Sequence, residues 1–374
     1  MYVEVEAKEI NHIYKTHVFH QTAFWSEVKW KQGYDSKAFD IKARSKDIYE
    51  GHNHSGTVID DLLILFQELG DGYVIGYVPY GPTLKPCDEV KGLFLEELSE
   101  SLRPFLPKEC AMLRYDLLWE SPWAKDDSFF NENGDWIGPP TKVNQELRLN
   151  YITQTWNLKK SNSNILPTDT LFIDLQKDED RLLRDMKSKT RYNARLSQRK
   201  GVQVRRADVN ELDIWYQLYR ETCQRNSIRF HDISYFQTVL VTDVSPARSN
   251  AEVELLIAEI DGIPLAAMFL IFADRRATYL YGASTSKKRN CMASYALQLA
   301  AIKRAKARGC TEYDMFGVAP KPDPAHPLYG LYRFKTGFGG QLFHRMGCWD
   351  YPLDPEIYKA IQAAELGSPG YHLQ

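Results

Sequence analysis

The sequence predicts an α/β (α+β) chain made of two copies of one domain, and three observations carry this. At 374 residues and 44% hydrophobic content, the chain is too long for one comfortable core. The order strand, strand, helix, strand occurs twice along it. Both halves place a Tyr-Gly before the helix (Tyr80-Gly81, Tyr281-Gly282) and a Tyr-Asp in the strand after it (Tyr115-Asp116, Tyr313-Asp314).

In the first half, DLLILFQEL and DGYVIGYVPYGPTL read as strands joined by a Gly-Asp-Gly turn. A helix over Leu93 to Phe105 and the strand AMLRYDLLW follow. KKSNSNILPTDT is a polar linker with a proline. In the second half, LLIAEIDGIPLAAMFLIFADRRATYLYGAST gives successive strands turning at Asp261-Gly262 and Asp274-Arg275-Arg276. The helix SYALQLAAIKRAKARG carries apolar Ala296, Leu299, Ala300 and Ile302, and Gly309 stops it. The strand CTEYDMFGV closes the repeat. Domain 1 is expected over residues 1–164, completed by 346–374, and domain 2 over 165–345.

Lys plus Arg (47) nearly balances Asp plus Glu (49), so no global field draws the protein to nucleic acid or membrane. The six cysteines form no CxxC pair and no Cys/His cluster, which favours a reducing compartment and no structural zinc. His12, His17 and His20 fit no metal spacing and read as packing or surface residues. MYVEVEAKEI is unlike a signal peptide, and the longest apolar run, Ile263 to Ala273, is shorter than the roughly 20 residues of a membrane helix. A cytoplasmic, soluble protein is expected.

Strand, strand, helix, strand is the order of the GNAT acyltransferase fold. Its coenzyme A enzymes carry a glycine-rich loop at the strand-to-helix turn, where bare amides grip the pyrophosphate. Here that turn reads STSKKRNCMASYA, with Arg289 but no glycine, and GPTLKPCDEVKG in the first half lacks the loop as well. Between the halves lies RDMKSKTRYNARLSQRKGVQVRR, with nine basic residues against one acid, Asp185. Lys187, Arg191, Arg195 and Arg199 recur every fourth residue, a ridge about 18 Å long on a helix that Gly201 ends. A charged run is ordinarily a solvated face, but such faces alternate sign for intrahelical pairing. This one does not, so a polyanion is expected, with RNA the natural candidate.

In LYRFKTGFGG, Lys335 sits among Tyr332, Phe334 and Phe338. Alone it reads as a surface lysine beside a hydrophobic strand end. Its following glycines, Gly337, Gly339 and Gly340, would let the chain turn and admit a substrate terminus, or form a turn only. PKPDPAHP just before is a lid or a stiff connection.

Together MKSKTRYNARLSQRKGV, YLYGAS and RFKTGFG resemble the FemABX aminoacyltransferases. That family has duplicated GNAT-like domains and moves an amino acid from aminoacyl-tRNA onto the peptide stem of a peptidoglycan precursor. The resemblance runs from TAFWSEVK, similar to the family's Trp-x-x-Val-Lys start, to Lys335 and beyond. The short passage after the basic helix leaves no room for a long coiled-coil arm, so the chain is most similar to the compact FemX branch, which acts on a soluble UDP-linked precursor. The resemblance implies a catalytic pair in Phe334 and Lys335, with the lysine facing the oxyanion or the 3′ end of the tRNA. It implies that Asp116 holds or deprotonates the acceptor amine, that Lys29 binds the nucleotide diphosphate, and that Tyr235, Tyr279 and Tyr281 lie near the precursor. His231 stands where the FemX branch has an arginine, with Arg229 two residues earlier. This leaves the second phosphate ligand open, and with it UDP-linked against lipid-linked precursor.

Aminoacyl-tRNA is the implied co-substrate, bound by Lys187, Arg191, Arg195 and Arg199. No cofactor or metal is expected, and the protein is expected to be a monomer with peripheral contact to the inner membrane face. No Ser-His-Asp or Cys-His constellation is visible, which fits direct attack without an acyl-enzyme. Two other readings remain, an acyl-coenzyme A-dependent N-acyltransferase and a non-catalytic RNA-binding protein.

Overall fold

The computed structural model describes residues 1–50, 55–70, 72–226, 230–244, 249 and 251–367, and its contacts divide into two compact units. The first comprises residues 1–14, 20–168 and 344–374. Its sheet runs β1 (Val3–Lys8), β2 (Asp35–Arg44), β3 (Thr57–Gly70), β4 (Tyr73–Val78), β5 (Cys110–Glu120) and β13 (Gln341–Pro352), with the short β6 (Lys159–Lys160) on the far side of β13. Alternation in VEVEAK turns Val3 and Val5 inward and Glu4 and Glu6 to water. β4 and β5 are parallel and need a crossover, which α3 (Lys91–Leu102) supplies. Phe94 and Leu98 of α3 join Phe39, Ile64, Leu113, Trp119 and Trp349 in one core. The unit also holds α1 (Ala23–Lys31), α2 (Ser45–Ile48), α4 (Lys142–Asn150) and α11 (Pro355–Gly367).

The second unit comprises residues 15–19 and 169–343. Its strands are β7 (Asp169–Asp174), β8 (Gln203–Ala207), β9 (Glu252–Ile260), β10 (Ile263–Ala273), β11 (Arg276–Ser284) and β12 (Glu312–Asp314). Its helices are α5 (Glu179–Asp185), α6 (Ser188–Arg199), α7 (Leu212–Asn226), α8 (Ile233–Val241), α9 (Ala293–Ala307) and α10 (Tyr329–Lys335). The sheet order is β8-β9-β10-β11-β12-β7, with β11 and β12 parallel and every other pair antiparallel. This repeats β1-β2-β3-β4-β5-β13 strand for strand and sense for sense, so the chain is a GNAT-like duplication. Tyr115 and Tyr313 are equivalent: each is fully buried, with its hydroxyl bonded to the crossover helix, at Ser99 (2.9 Å) and Gln298 (2.7 Å).

The sixth strands are exchanged. β7 follows β5 in the chain but pairs with β12, whereas β13 follows β12 and pairs with β5. Among the described residues no helix exceeds the 15 residues of α7 and α9, so there is no long coiled-coil arm, and none is long and apolar enough to cross a membrane. Tyr80-Gly81 is not the counterpart of Tyr281-Gly282: it lies in the turn beyond β4, whereas Tyr281-Gly282 is inside β11. LYRFKTGFGG is not a strand end but α10 followed by a tight turn over Thr336–Phe338, ended by Gly339 at φ 82°. All six cysteines are free. His20 packs edge-on to Trp25 and Tyr80.

Candidate active site

In the second unit, α10 delivers Lys335 into the interior. Phe334, one residue earlier, packs edge-on to Tyr295 (5.1 Å) and Phe338 (5.3 Å), fixing the helix's rotation. Lys335 is only 4% exposed, and its Nζ donates to the carbonyls of Gly317 (2.6 Å) and Phe316 (3.2 Å). Those carbonyls converge because β12 stops early. The Asp314 carboxylate accepts the amide of Phe316 at 2.8 Å, and Phe316 takes a left-handed φ of 59°. The lysine also lies 5.2 Å from the centre of the Tyr279 ring. Burial pushes its pKa down to about 7, with the Asp314 charge opposing the shift.

The three glycines after Lys335 serve close approach. A Cβ on Gly337 would sit 2.2 Å from Thr190 Oγ1, one on Gly339 would meet the carbonyl of Asp185, and one on Gly340 would meet Leu171 and the carbonyl of Phe172. They seat the turn against α6, the end of α5 and β7. The amide of Lys187 donates to Gly337 O at 2.8 Å, so the basic helix begins beside the lysine's own turn.

Tyr279 and Tyr281 point to opposite faces of the sheet. A bulge at Leu280 sets Tyr279 opposite Leu270, in the core under α9, and Tyr281 opposite Phe269, which packs on Trp215 and Phe236. Tyr279 therefore belongs with Lys335. The Tyr281 hydroxyl instead lies 3.2 Å from that of Tyr235, whose ring stacks on His231 (4.4 Å). Arg229 lies outside the described residues.

The basic ridge is narrower than its spacing implies. Arg191 Nη1 donates to the carbonyls of Leu183, Arg184 and Met186, capping the end of α5. Arg205 pairs with Glu211 and Glu259, and Arg206 lies within 3.9 Å of Glu252 and Glu254. Lys187 is exposed and reaches Thr336 Oγ1 (3.3 Å). Arg195 and Arg199 are exposed and share a face with Tyr192, whose ring is 57% exposed and 5.8 Å from the Arg199 guanidinium. Sequence reasoning missed Tyr192, although an aromatic on a charged helix face was a visible signal.

In the first unit, Lys29 lies on α1 with its Nζ 5.1 Å from the rings of both Trp25 and Tyr34, and donates to Gln32 at 2.9 Å. Burial lowers its pKa to about 8. Asp116 is wholly buried in β5. Its Oδ2 accepts from the Leu166 amide (2.8 Å) and the Tyr77 hydroxyl (3.0 Å), and the Cys348 side chain lies beside the carboxylate. Burial pushes the carboxyl's pKa up. One trio of potential metal-ligand atoms occurs among the described residues, Glu50, Cys87 and Glu89, and it includes none of the groups above.

The turn after β11 is closed on itself. Its amides at Lys287, Cys291 and Met292 bond to Thr285, Lys288 and Arg289 within the turn, leaving those three no donor for a pyrophosphate.

The FemAB family model matches residues 5–243 and 245–366. The chain belongs to the FemAB family. Lipid II:glycine glycyltransferases of Staphylococcus aureus strains USA300 and NCTC 8325 are 26% identical to it over 260 residues, 53% of this chain. That alignment spans 62% of the length of these relatives. A crystal structure of FemX shares the fold with a TM-score of 0.72 at 19% identity, covering 96% of this chain and 100% of that one. This FemAB-family chain thus has the fold that its repeated strand order spells out.

Proposed function

We propose that this chain transfers an amino acid from aminoacyl-tRNA to the stem-peptide amine of a peptidoglycan precursor, UDP-linked or lipid-linked, building a peptide cross-bridge in the cytoplasm. Family membership and relatives named for glycyl transfer to lipid II support the reaction class. The observation that carries the reading is Lys335, a buried lysine held by two backbone carbonyls. As an ammonium it has three N–H bonds, of which Phe316 and Gly317 take two. The third donates to the oxyanion as the acceptor amine attacks the ester carbonyl. The C–N bond then forms and the C–O bond to the tRNA breaks. The proton lost by the amine balances the one gained by the departing 3′ oxygen. The ester supplies the driving force, so the scheme calls on no cofactor.

Lys29, between two aromatic rings, takes a phosphate of the precursor. Asp116 is assigned to the acceptor side on the family resemblance, its wholly buried carboxylate acting through the Tyr77 hydroxyl that donates to it. Tyr235, Tyr281 and His231 are assigned to the precursor. Lys187, Tyr192, Arg195 and Arg199 are assigned to the tRNA, with Arg191 positioning their helix.

Incubation with charged tRNAs and either muropeptide, following labelled amino acid into the stem, tests the proposal; no transfer to either acceptor refutes it. Arg195→Glu with Arg199→Glu is expected to raise the tRNA KM about ten-fold or more while sparing the precursor KM. Tyr192→Ala is expected to raise the tRNA KM by roughly ten-fold. An unchanged tRNA KM in both variants would remove the ridge from the scheme. The coenzyme A reading predicts a raised Tm with coenzyme A, which the closed turn argues against. The non-catalytic RNA-binding reading predicts that Lys335→Met leaves every measurable activity unchanged.

A further inference from the structure

We infer that the outer face of α4 and the segment after it rest on the surface of an anionic lipid bilayer. The inference deepens the function proposed above, on which it rests for the lipid-linked acceptor. α4 is amphipathic in reverse. Val143, Leu147 and Tyr151, at i, i+4 and i+8, are 64%, 49% and 79% exposed, and Ile152 (39%) and Trp156 (47%) are exposed in the segment that follows. Only Leu149 and Asn150 of the helix are buried.

This is no loose loop. The Asn150 side chain accepts from the amide of Leu158 (3.1 Å) and donates to its carbonyl (2.8 Å). Glu146 accepts the amide of Lys160 (2.9 Å), and the buried Glu96 carboxylate accepts those of Gln154 and Thr155 (2.7 Å each). Asn157 donates to the carbonyl of Pro352 (2.8 Å). Between these anchors Trp156 is held at φ 53°, a conformation that costs a bulky residue energy and persists because the neighbours fix it. The fold therefore holds five large apolar side chains out into water and prevents them from folding back.

Charge chooses the occupant. Of the bases in residues 142–160, Arg148 is exposed and Lys142 and Lys159 are half-exposed, against one acid, Glu146, which is engaged with the backbone; the Lys160 ammonium turns inward onto the carbonyl of Cys348. Aliphatic side chains that enter the acyl boundary, Trp and Tyr at headgroup depth, and flanking bases together match an anionic membrane interface. A bilayer-seated surface would bring the protein to an acceptor that cannot leave the membrane.

The test is co-sedimentation of the full chain with vesicles of phosphatidylcholine, with and without phosphatidylglycerol. The wild type is expected to pellet with the anionic vesicles and to be released by salt. Leu147→Glu with Tyr151→Glu, or Val143→Glu with Leu147→Glu, is expected to weaken binding about ten-fold or more. These positions point to water, so Tm should be unchanged. Both variants should raise the KM for a vesicle-borne acceptor and leave transfer to a soluble UDP-linked acceptor unchanged. A wild type that does not pellet overturns the inference. So do variants that bind as the wild type does, or a self-association of the wild type that the variants dissolve. Vesicle binding is read without catalysis, so absent transfer to both acceptors would count against the proposed function alone.

Discussion

Replacing Lys335 by methionine is expected to lower kcat about a hundred-fold or more, and also to erase a pH-dependent part of the protein's stability. The first effect follows from losing one oriented donor at the oxyanion. The second follows from linkage. The folded lysine titrates at about 7, against an ordinary value of 10.5, because burial disfavours its charge. Below pH 7 both folded and unfolded states carry the proton, and the charged group's cost to the fold is greatest. Between 7 and 10.5 the unfolded chain holds a proton that the folded chain has released, so wild-type stability rises with pH. At about 1.4 kcal/mol per pH unit, and with the folded lysine already half titrated at pH 7, the wild type should gain roughly 2 kcal/mol on the variant between pH 7 and pH 9. Urea unfolding of both proteins at the two pH values measures the gain, and every other titrating group cancels in the difference. A difference that does not change with pH would place Lys335 in water and undo the argument for its chemistry. Kinetics give a separate readout: wild-type kcat should fall as pH rises through about 7, and the residual activity of Lys335→Met should lack that limb.

What the sequence made legible was local. The apolar strands that turn at Asp261-Gly262 and the capped helix ending at Gly309 each carry their pattern within a few residues, and each folds accordingly. The Tyr-Asp pairs were sound repeat markers because Tyr115 and Tyr313 occupy the same place under the crossover helix. The Tyr-Gly pairs were not, since a turn and a strand can carry the same two letters. The short aromatic run around Phe334 has no period long enough to tell helix from strand, so α10 was invisible. One extra residue, Leu280, sends Tyr279 and Tyr281 to opposite faces of the sheet, and nothing in YLYGAS announces it. Arg191 matches its ridge in spacing, yet the end of α5, three carbonyls in need of a donor, claims it. Phe334 and Lys335 stand out by family resemblance, while the groups that surround the lysine, Phe316, Gly317 and Tyr279, are all distant from it in sequence.

Replacing Arg114 by leucine is expected to cost about 3–5 kcal/mol of stability, the largest loss foreseen for any single substitution here. Its guanidinium is almost fully buried and grips Asp350 with two bonds, Nε to Oδ1 at 2.7 Å and Nη2 to Oδ2 at 2.9 Å. A third bond, Nη1 to Glu365 Oε1 at 2.6 Å, ties in α11, and the Tyr358 hydroxyl adds to Asp350. These carboxylates hold the Arg114 pKa above its ordinary value despite burial. Leucine would fill much of the space but leave two buried carboxylates without their cation, and that uncompensated charge is what costs. Arg114→Leu combined with Asp350→Asn and Glu365→Gln should therefore recover part of the loss in urea melts; no recovery would mean that packing, not charge, holds the site. The cluster matters because of where β13 comes in the chain. Arg114 and Asp350 are 236 residues apart, and the first sheet is completed by a strand made only after the entire second unit. No local pattern brings β13 back to β5, and closing so long a loop carries an entropic cost that specific contacts must offset. A bidentate pair at the centre of that return accepts one register and penalises every other. In the leucine variant the C-terminal segment should therefore become the first part of the chain open to proteolysis, ahead of the basic helix or the turn that holds Lys335.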